Sequence, residues 1–267
     1  MEDRRGRGFG GPAGIGGGIL ALILALIFGP QVLDQSDGTT TTDAYGEVGL
    51  APADSAAEEP MVQFMSFLLD DIQQTWDGAF GRAGGSYRPA TLVLFRDGTR
   101  SACGIGQSAM GPFYCPLDEK VYLDLGFFEE LDRRFGAPGD FAQAYVVAHE
   151  LGHHVQHLTG LAERVRGFQR SDPDIANELS VRLELQADCY AGVWAHSAAE
   201  RGMLETGDVE EGLNAASAVG DDRIQRRTTG SLNVDSFTHG SATQRAEWFT
   251  RGYRAGNSTA CDTFRAG

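Results

Sequence analysis

The sequence predicts a helix-rich α+β domain with a small sheet, carried behind one N-terminal membrane-spanning helix. Three observations lead there. Apolar residues recur at helical spacing over most of the chain, only two short runs read as buried strands, and no charged residue occurs between Gly8 and Leu33. The chain has 267 residues, enough for one good-sized domain with appendages. A formal charge of −15, from 37 acidic against 22 basic residues, argues against a nucleic-acid partner, because a phosphate backbone is bound by basic surface.

The start, MEDRRGRG, is charged, and residues 11–33, with GGGILALILALIFG at the centre, are apolar enough for a bilayer-crossing helix. Arginines before the span leave residues 1–10 in the cytoplasm and send the remainder across, so the expected product is a single-pass protein of the cell membrane with an extracytoplasmic domain. A cleaved signal peptide is the competing reading, but GPQVLDQ, without a small-x-small site, follows the apolar run. Glycines at 14 and 16–18 count against a buried soluble helix there. Residues 34–57 are polar and short of large apolar groups, which predicts a disordered tether. The domain is expected over residues 58–267.

Within it, Met61, Phe64, Met65, Phe67, Leu68, Ile72 and Trp76 mark a first helix. ATLVLF at 90–95, closed by the turn RDG, and VYLDL at 121–125 are the two strands. Between them lies a Gly- and Ser-rich loop holding Cys103 and Cys115. FFEELDRRFG is a short helix ending at Gly136. DFAQAYVVAHELGHHVQHLTG is a longer one, with Asp140 at its start and Gly160 as its stop. A further long helix opens at Ser171, with proline near its first turn, and ends near Gly202. DVEEGLNAASAVG and SATQRAEWFTRGYRAG supply two more.

The chemistry begins with AHELGHHVQH. His149 and His153 lie four apart, one helical turn above each other on one face, so both imidazoles reach one ion. Glu150, in the H-E-x-x-H pattern, is not a ligand but the general base. The flanking VVA and LG predict a buried segment, and burying three polar side chains costs several kcal/mol unless strong partners satisfy them. His154 points about 100° away from His153, and a row of histidines reaching His157 spans about 12 Å of helix, too long for one tetrahedral ion. Both are therefore assigned to packing or to contacts behind the ligands. The third ligand is expected from RLELQADCYAGVWA, where Glu184 and Asp188 share one face of an apolar helix. Glu184 would complete a site for one Zn2+ per chain, and Asp188 would accept the free N–H of a ligating histidine.

Taken together, AHELGHHVQ, LELQADCYAGVW, GDDRIQ, FTHGSATQRAEWF and CDTF, in this order, resemble a bacterial family of neutral zinc metallopeptidases with the gluzincin pattern of HExxH plus ExxxD. GPFYCPLDEKVYLD and the RRGRG start are similar as well. The resemblance covers nearly all of the chain except the tether. It implies a zincin-like fold and zinc-assisted peptide hydrolysis, with a peptide or protein as substrate.

Several residues are left with more than one expected role. His239 is either a catalytic oxyanion donor, as distal histidines are in related gluzincins, or a cap for the helix starting near Ser241; Arg245 is the other candidate donor. Asp221 and Asp222 either orient His239, bind calcium or form a solvated acidic turn. Val121, Tyr122, Leu123 and Asp124 are a candidate edge strand for a substrate peptide or an ordinary core strand. An extracytoplasmic domain predicts disulfides, with Cys103–Cys115 closing the glycine-rich loop and Cys189–Cys261 pinning the tail. Two other functions compete: a zinc amidase acting on cell-wall peptide, and a non-catalytic, membrane-tethered zinc protein serving in binding or assembly.

Overall fold

The first helix of the domain, α1 (Glu59–Arg82), turns Val62, Met65, Leu68, Leu69, Ile72 and Trp76 inward at intervals of three and four, while Phe67 faces out. It belongs to a computed structural model that describes residues 1–5, 57–107 and 111–265. The expected anchor over 11–33 lies outside those residues, as does the tether except for Ala57. Among the described residues no helix is long and apolar enough to cross a membrane.

The sheet order is β1 (Glu2–Asp3), β2 (Thr91–Phe95), β6 (Lys120–Asp124), β5 (Phe113–Cys115), with β5 antiparallel to β6 and the other neighbours parallel. Leu92, Leu94, Val121 and Leu123 point to the main core, and Val93, Phe95 and Tyr122 to the opposite face, the alternation expected of a pleated strand. Two expectations are corrected here. The glycine-rich stretch is not only loop: β3 (Gly98–Ser101) and β4 (Gly104–Gln107) pair as a hairpin, and β5 follows. The backbone ladder, with the Cys103–Cys115 disulfide fastening the hairpin tip to β5, supplies order that the composition conceals. Also, residues 121–124 offer no edge to a peptide, because β6 is paired with β2 on one side and β5 on the other. The end strand on that side of the sheet is β5.

The helices follow as α2 (Gly126–Arg133), α3 (Asp140–Leu158), α4 (Leu161–Ser171), α5 (Ala176–Glu200), α6 (Asp208–Ala218), α7 (Asp221–Thr228) and α8 (Ala242–Ala255). Ser171 ends α4 instead of opening the next helix. Asp172 caps a short 3-10 turn through Pro173, and α5 starts only at Ala176. α3 is buried on almost every side. At Gly152 a Cβ would stand 3.1 Å from Ala187 Cα, so the absent side chain lets α3 and α5 approach closely. The approach of α5 to α8 is closer still: a Cβ on Gly252 would lie 1.9 Å from the carbonyl oxygen of Cys189. The Cys189–Cys261 disulfide holds the C-terminal tail against α5.

Candidate metal centre

The close approach at Gly152 brings the HExxH face of α3 against Glu184 of α5. His149 Nε2 lies 3.2 Å from Glu184 Oε2, and His153 Nε2 lies 3.4 Å from Glu184 Oε1. The two imidazoles stand nearly perpendicular, with ring centres 4.8 Å apart. In a tetrahedral site with bonds of about 2.0–2.1 Å, neighbouring ligand atoms are about 3.3 Å apart, so these donors are spaced for one ion.

The outward nitrogens explain why the inner ones converge. His149 Nδ1 is 2.8 Å from Asp188 Oδ1, and His153 Nδ1 is 2.9 Å from Gln156 Oε1. With a proton on each Nδ1 donated to those acceptors, both Nε2 lone pairs face Glu184. Two lone pairs and a carboxylate directed at one point need a cation or protons between them. The mixed nitrogen and oxygen set fits zinc.

Asp188 is fully buried and collects donors from every side. Arg245 Nε reaches its Oδ2 at 2.8 Å and Arg245 NH2 its Oδ1 at 2.9 Å, while the Tyr145 hydroxyl donates to the same Oδ1. Arg245 is itself buried and also donates to the Tyr145 oxygen. It therefore serves Asp188, and the expectation that it faces an oxyanion is not met. Gln156, which the sequence reading passed over, has a comparable position behind His153. Its amide nitrogen donates to Leu183 O at 2.7 Å and to Gln186 Oε1 at 3.1 Å, and Gln186 in turn donates to the carbonyl of Cys261. One signal could have found it: a glutamine three residues beyond His153 on the same apolar helix must satisfy a buried amide.

Electrostatics follow from these contacts. Burial works against a charge on His149, but Asp188 and Glu184 raise its pKa to about 10. Burial likewise pushes the Glu184 carboxyl up, yet His153 and His149 overcome it and hold Glu184 well below the ordinary carboxylate range. Asp188 is also held low, burial being outweighed by Arg245 and His149. Glu150 differs: burial raises it, the neighbouring histidines only partly offset that, and no hydrogen bond contributes. Of the three carboxylates it alone has a raised pKa.

His154 and His157 do not join the ligands. His154 is fully buried, accepts from the Tyr114 hydroxyl at Nδ1 and donates from Nε2 to Arg88 O, which fastens β5 and the segment before β2 to α3. His157 faces Glu119 at 3.3 Å. His239 stands half-exposed near Glu184. Asp221 accepts from the backbone N–H groups of Thr238, His239 and Gly240 and lies 3.2 Å from His239 Nδ1. With 49% of the side chain exposed, the surrounding protein still opposes a charge on His239, and Asp221 and Glu184 outweigh that and raise its pKa. Ser241 caps α8, with Gln244 completing a capping box, so His239 does not serve as that cap. Asp222 accepts from Ala242 N at the start of the same helix. Both disulfides have the expected pairing, and no described cysteine is free.

Two imidazoles and a carboxylate on neighbouring helices, with each imidazole oriented from behind and Glu150 beside them, define the class: a candidate site for one metal ion. The chain belongs to the family described as "Putative neutral zinc metallopeptidase", whose model matches residues 1–264. It is 46% identical over 274 residues to "Uncharacterized protein YpfJ" of Escherichia coli K12, an alignment covering 99% of this chain and 95% of that one. It is 47% identical over 191 residues to "Uncharacterized protein Rv2575" of Mycobacterium tuberculosis H37Rv, covering 67% of this chain and 64% of that one. No solved structure matches the chain.

Proposed function

We propose that the protein is a membrane-associated zinc metallopeptidase that hydrolyses peptide bonds in an extracytoplasmic compartment. The observation that carries this is the pairing of the three-donor centre with Glu150, a buried carboxylate adjacent to the ligands, without a hydrogen bond from the described residues and with its pKa raised by burial. A zinc-binding site of structural purpose alone has no use for such a base. The ligands are His149, His153 and Glu184; bound there, zinc supplies a Lewis acid and lowers the pKa of water to about 7.

This chain's own residues do the rest. Glu150 takes a proton from the attacking water and passes it to the departing amine. Asp188, fixed by Arg245 and Tyr145, holds His149 in the tautomer that presents Nε2. Gln156 does the same for His153. His239, braced by Asp221 through Nδ1, donates to the oxyanion that develops on the scissile carbonyl. A substrate strand adds to β5, the end strand beside α3, in place of the interior strand β6. The two disulfides support an oxidising compartment, and the apolar stretch at 11–33 supports attachment to a membrane.

The test is cleavage of an unfolded protein mixture by the full chain in detergent, with new termini read by mass spectrometry. Wild type, Glu150→Gln and chelator-treated wild type are compared, with metal content measured on each. Cleavage abolished in both controls, with zinc retained by Glu150→Gln, is the expected result. Cleavage unaffected by Glu150→Gln would refute the assignment of the base. No cleavage by a folded, zinc-loaded wild type across such a mixture would overturn the general-peptidase reading.

A further inference from the structure

Residues 1–5 are fastened to the domain that begins at residue 58, on the far side of the apolar stretch. Glu2 and Asp3 form β1, in register with Val93 and Leu94, and Arg4 N donates to Leu94 O at 2.8 Å. Side chains alternate as in any strand. On one face Glu2 pairs with Lys120, while Arg4 donates to Arg100 O at 3.0 Å and to Thr99 Oγ1 at 3.3 Å. On the other face Arg5, with a side chain only 5% exposed, meets Glu58 at 2.9 Å, and Arg96 holds the second oxygen of Glu58.

Glu58 immediately precedes α1. The Arg5–Glu58 pair therefore joins the residue that enters the intervening segment to the residue that leaves it. Whatever path residues 6–57 take, they depart from and return to one spot on one body.

A segment that crosses a bilayer once delivers its two ends to opposite faces, about 30 Å of hydrocarbon apart. Ends joined by an ion pair lie on the same face. We infer that residues 1–5 share the compartment of the 58–265 domain, the outer edge of β2 being the seat for this segment of the same chain. A single-pass arrangement that puts residues 1–5 and the 58–265 domain on opposite faces of a membrane does not allow this pairing. The expected arrangement, with a cytoplasmic N-terminus and an extracytoplasmic domain, rested on the arginines preceding the apolar run. Two of these, Arg4 and Arg5, are neutralised by Glu2, Asp3 and Glu58 within the fold and are not free to hold the chain in the cytoplasm.

Two variants of the full chain, each with one added cysteine, test this in cells. Asp3→Cys reports on β1, and Leu117→Cys, at an exposed position, reports on the domain. The native cysteines are paired and stay silent. A membrane-impermeant maleimide is applied before and after the cells are opened, and labelling is normalised to that of detergent-solubilised protein. The expected result is labelling of both positions in intact cells, equal within about twofold. Labelling of both only after opening also sustains the shared compartment, and would instead overturn the extracytoplasmic placement proposed above. Leu117→Cys reacting in intact cells while Asp3→Cys reacts only in opened ones would overturn the inference. As a second measurement, amide exchange on the purified full chain should find the Arg4 N–H protected. Exchange of residues 2–5 at the rate of an unstructured peptide would equally overturn it.

Discussion

Replacing Gln156 with leucine removes the acceptor behind His153 and little else in volume. The side chain is 1% exposed and joins three partners: His153 Nδ1, Leu183 O and Gln186 Oε1. Loss of a hydrogen-bond partner behind a metal ligand typically lowers metal affinity by about 10–100-fold, or about 1.4–2.7 kcal/mol. The fold also suffers, since His153 Nδ1 and Gln186 Oε1 lose their partner at about 1–3 kcal/mol each. Burial of the leucine returns about 1.5–3 kcal/mol, leaving at the midpoints a net destabilisation of about 2 kcal/mol. Gln156→Glu separates the two effects. It keeps an oxygen for His153 but sets a carboxylate against Leu183 O and Gln186 Oε1, so zinc affinity should stay near that of wild type while stability falls. Zinc Kd comes from competition with a chromophoric chelator, and stability from urea unfolding of the metal-free protein. If Gln156→Leu binds zinc within about threefold of wild type, Gln156 is packing and the orienting role is wrong.

Glu150→Gln should lower hydrolysis by about 10²-fold or more while leaving zinc Kd within a few-fold, because Glu150 is not a ligand; a matching loss of zinc would refute that. Arg245→Met strips two charge-assisted hydrogen bonds from a fully buried carboxylate and should cost about 3–5 kcal/mol in urea unfolding; a cost under about 1 kcal/mol would mean that Asp188 is content without it. His239→Ala should reduce kcat by about 10²-fold with KM little changed, as expected for a group acting on the developing oxyanion; a change in KM alone would make it a binding residue. In the metal-free protein His149 is raised to about 10 from an unfolded value near 6.5. Its contribution to stability is therefore complete below about pH 6.5 and lost as pH rises through about 10. Zinc must displace that proton, so affinity should strengthen over the same interval. A metal-free protein whose urea midpoint is flat across this window, or whose slope persists in His149→Ala, would contradict the assignment.

The parts of the site that could be read in the sequence are those where chemistry conflicts with surroundings. His149, Glu150 and His153 sit in a helix too apolar to be a solvated face, as do Glu184 and Asp188, and that conflict demands a shared partner. What escaped was the support. Arg245 lies 57 residues beyond Asp188, and nothing local distinguishes it from a surface arginine. Gln156 is legible only once its neighbours are known to be buried. The fold divides in the same way. Helices with a strong apolar stripe, such as α1, were plain, whereas β3, β4 and β5 were hidden in a glycine-rich stretch because their order comes from pairing and a disulfide, not from side-chain periodicity. β1 escaped for a related reason: two residues carry no period, and its charges resemble a topology signal. The edge reading of residues 121–124 failed because burial looks alike in an interior strand and a covered edge.

The position of Arg245 and Cys261 has a consequence for how the protein is made. During synthesis the HExxH helix and Glu184 emerge well before the segment that secures them. Until α8 arrives, Asp188 lacks its guanidinium partner, and until the tail is fastened to Cys189, Gln186 lacks the Cys261 carbonyl. A chain still on the ribosome, or one cut short before α8, thus carries the HExxH motif without the means to set it. The contacts that orient His149 and His153 are therefore complete only once α8 and Cys261 have emerged.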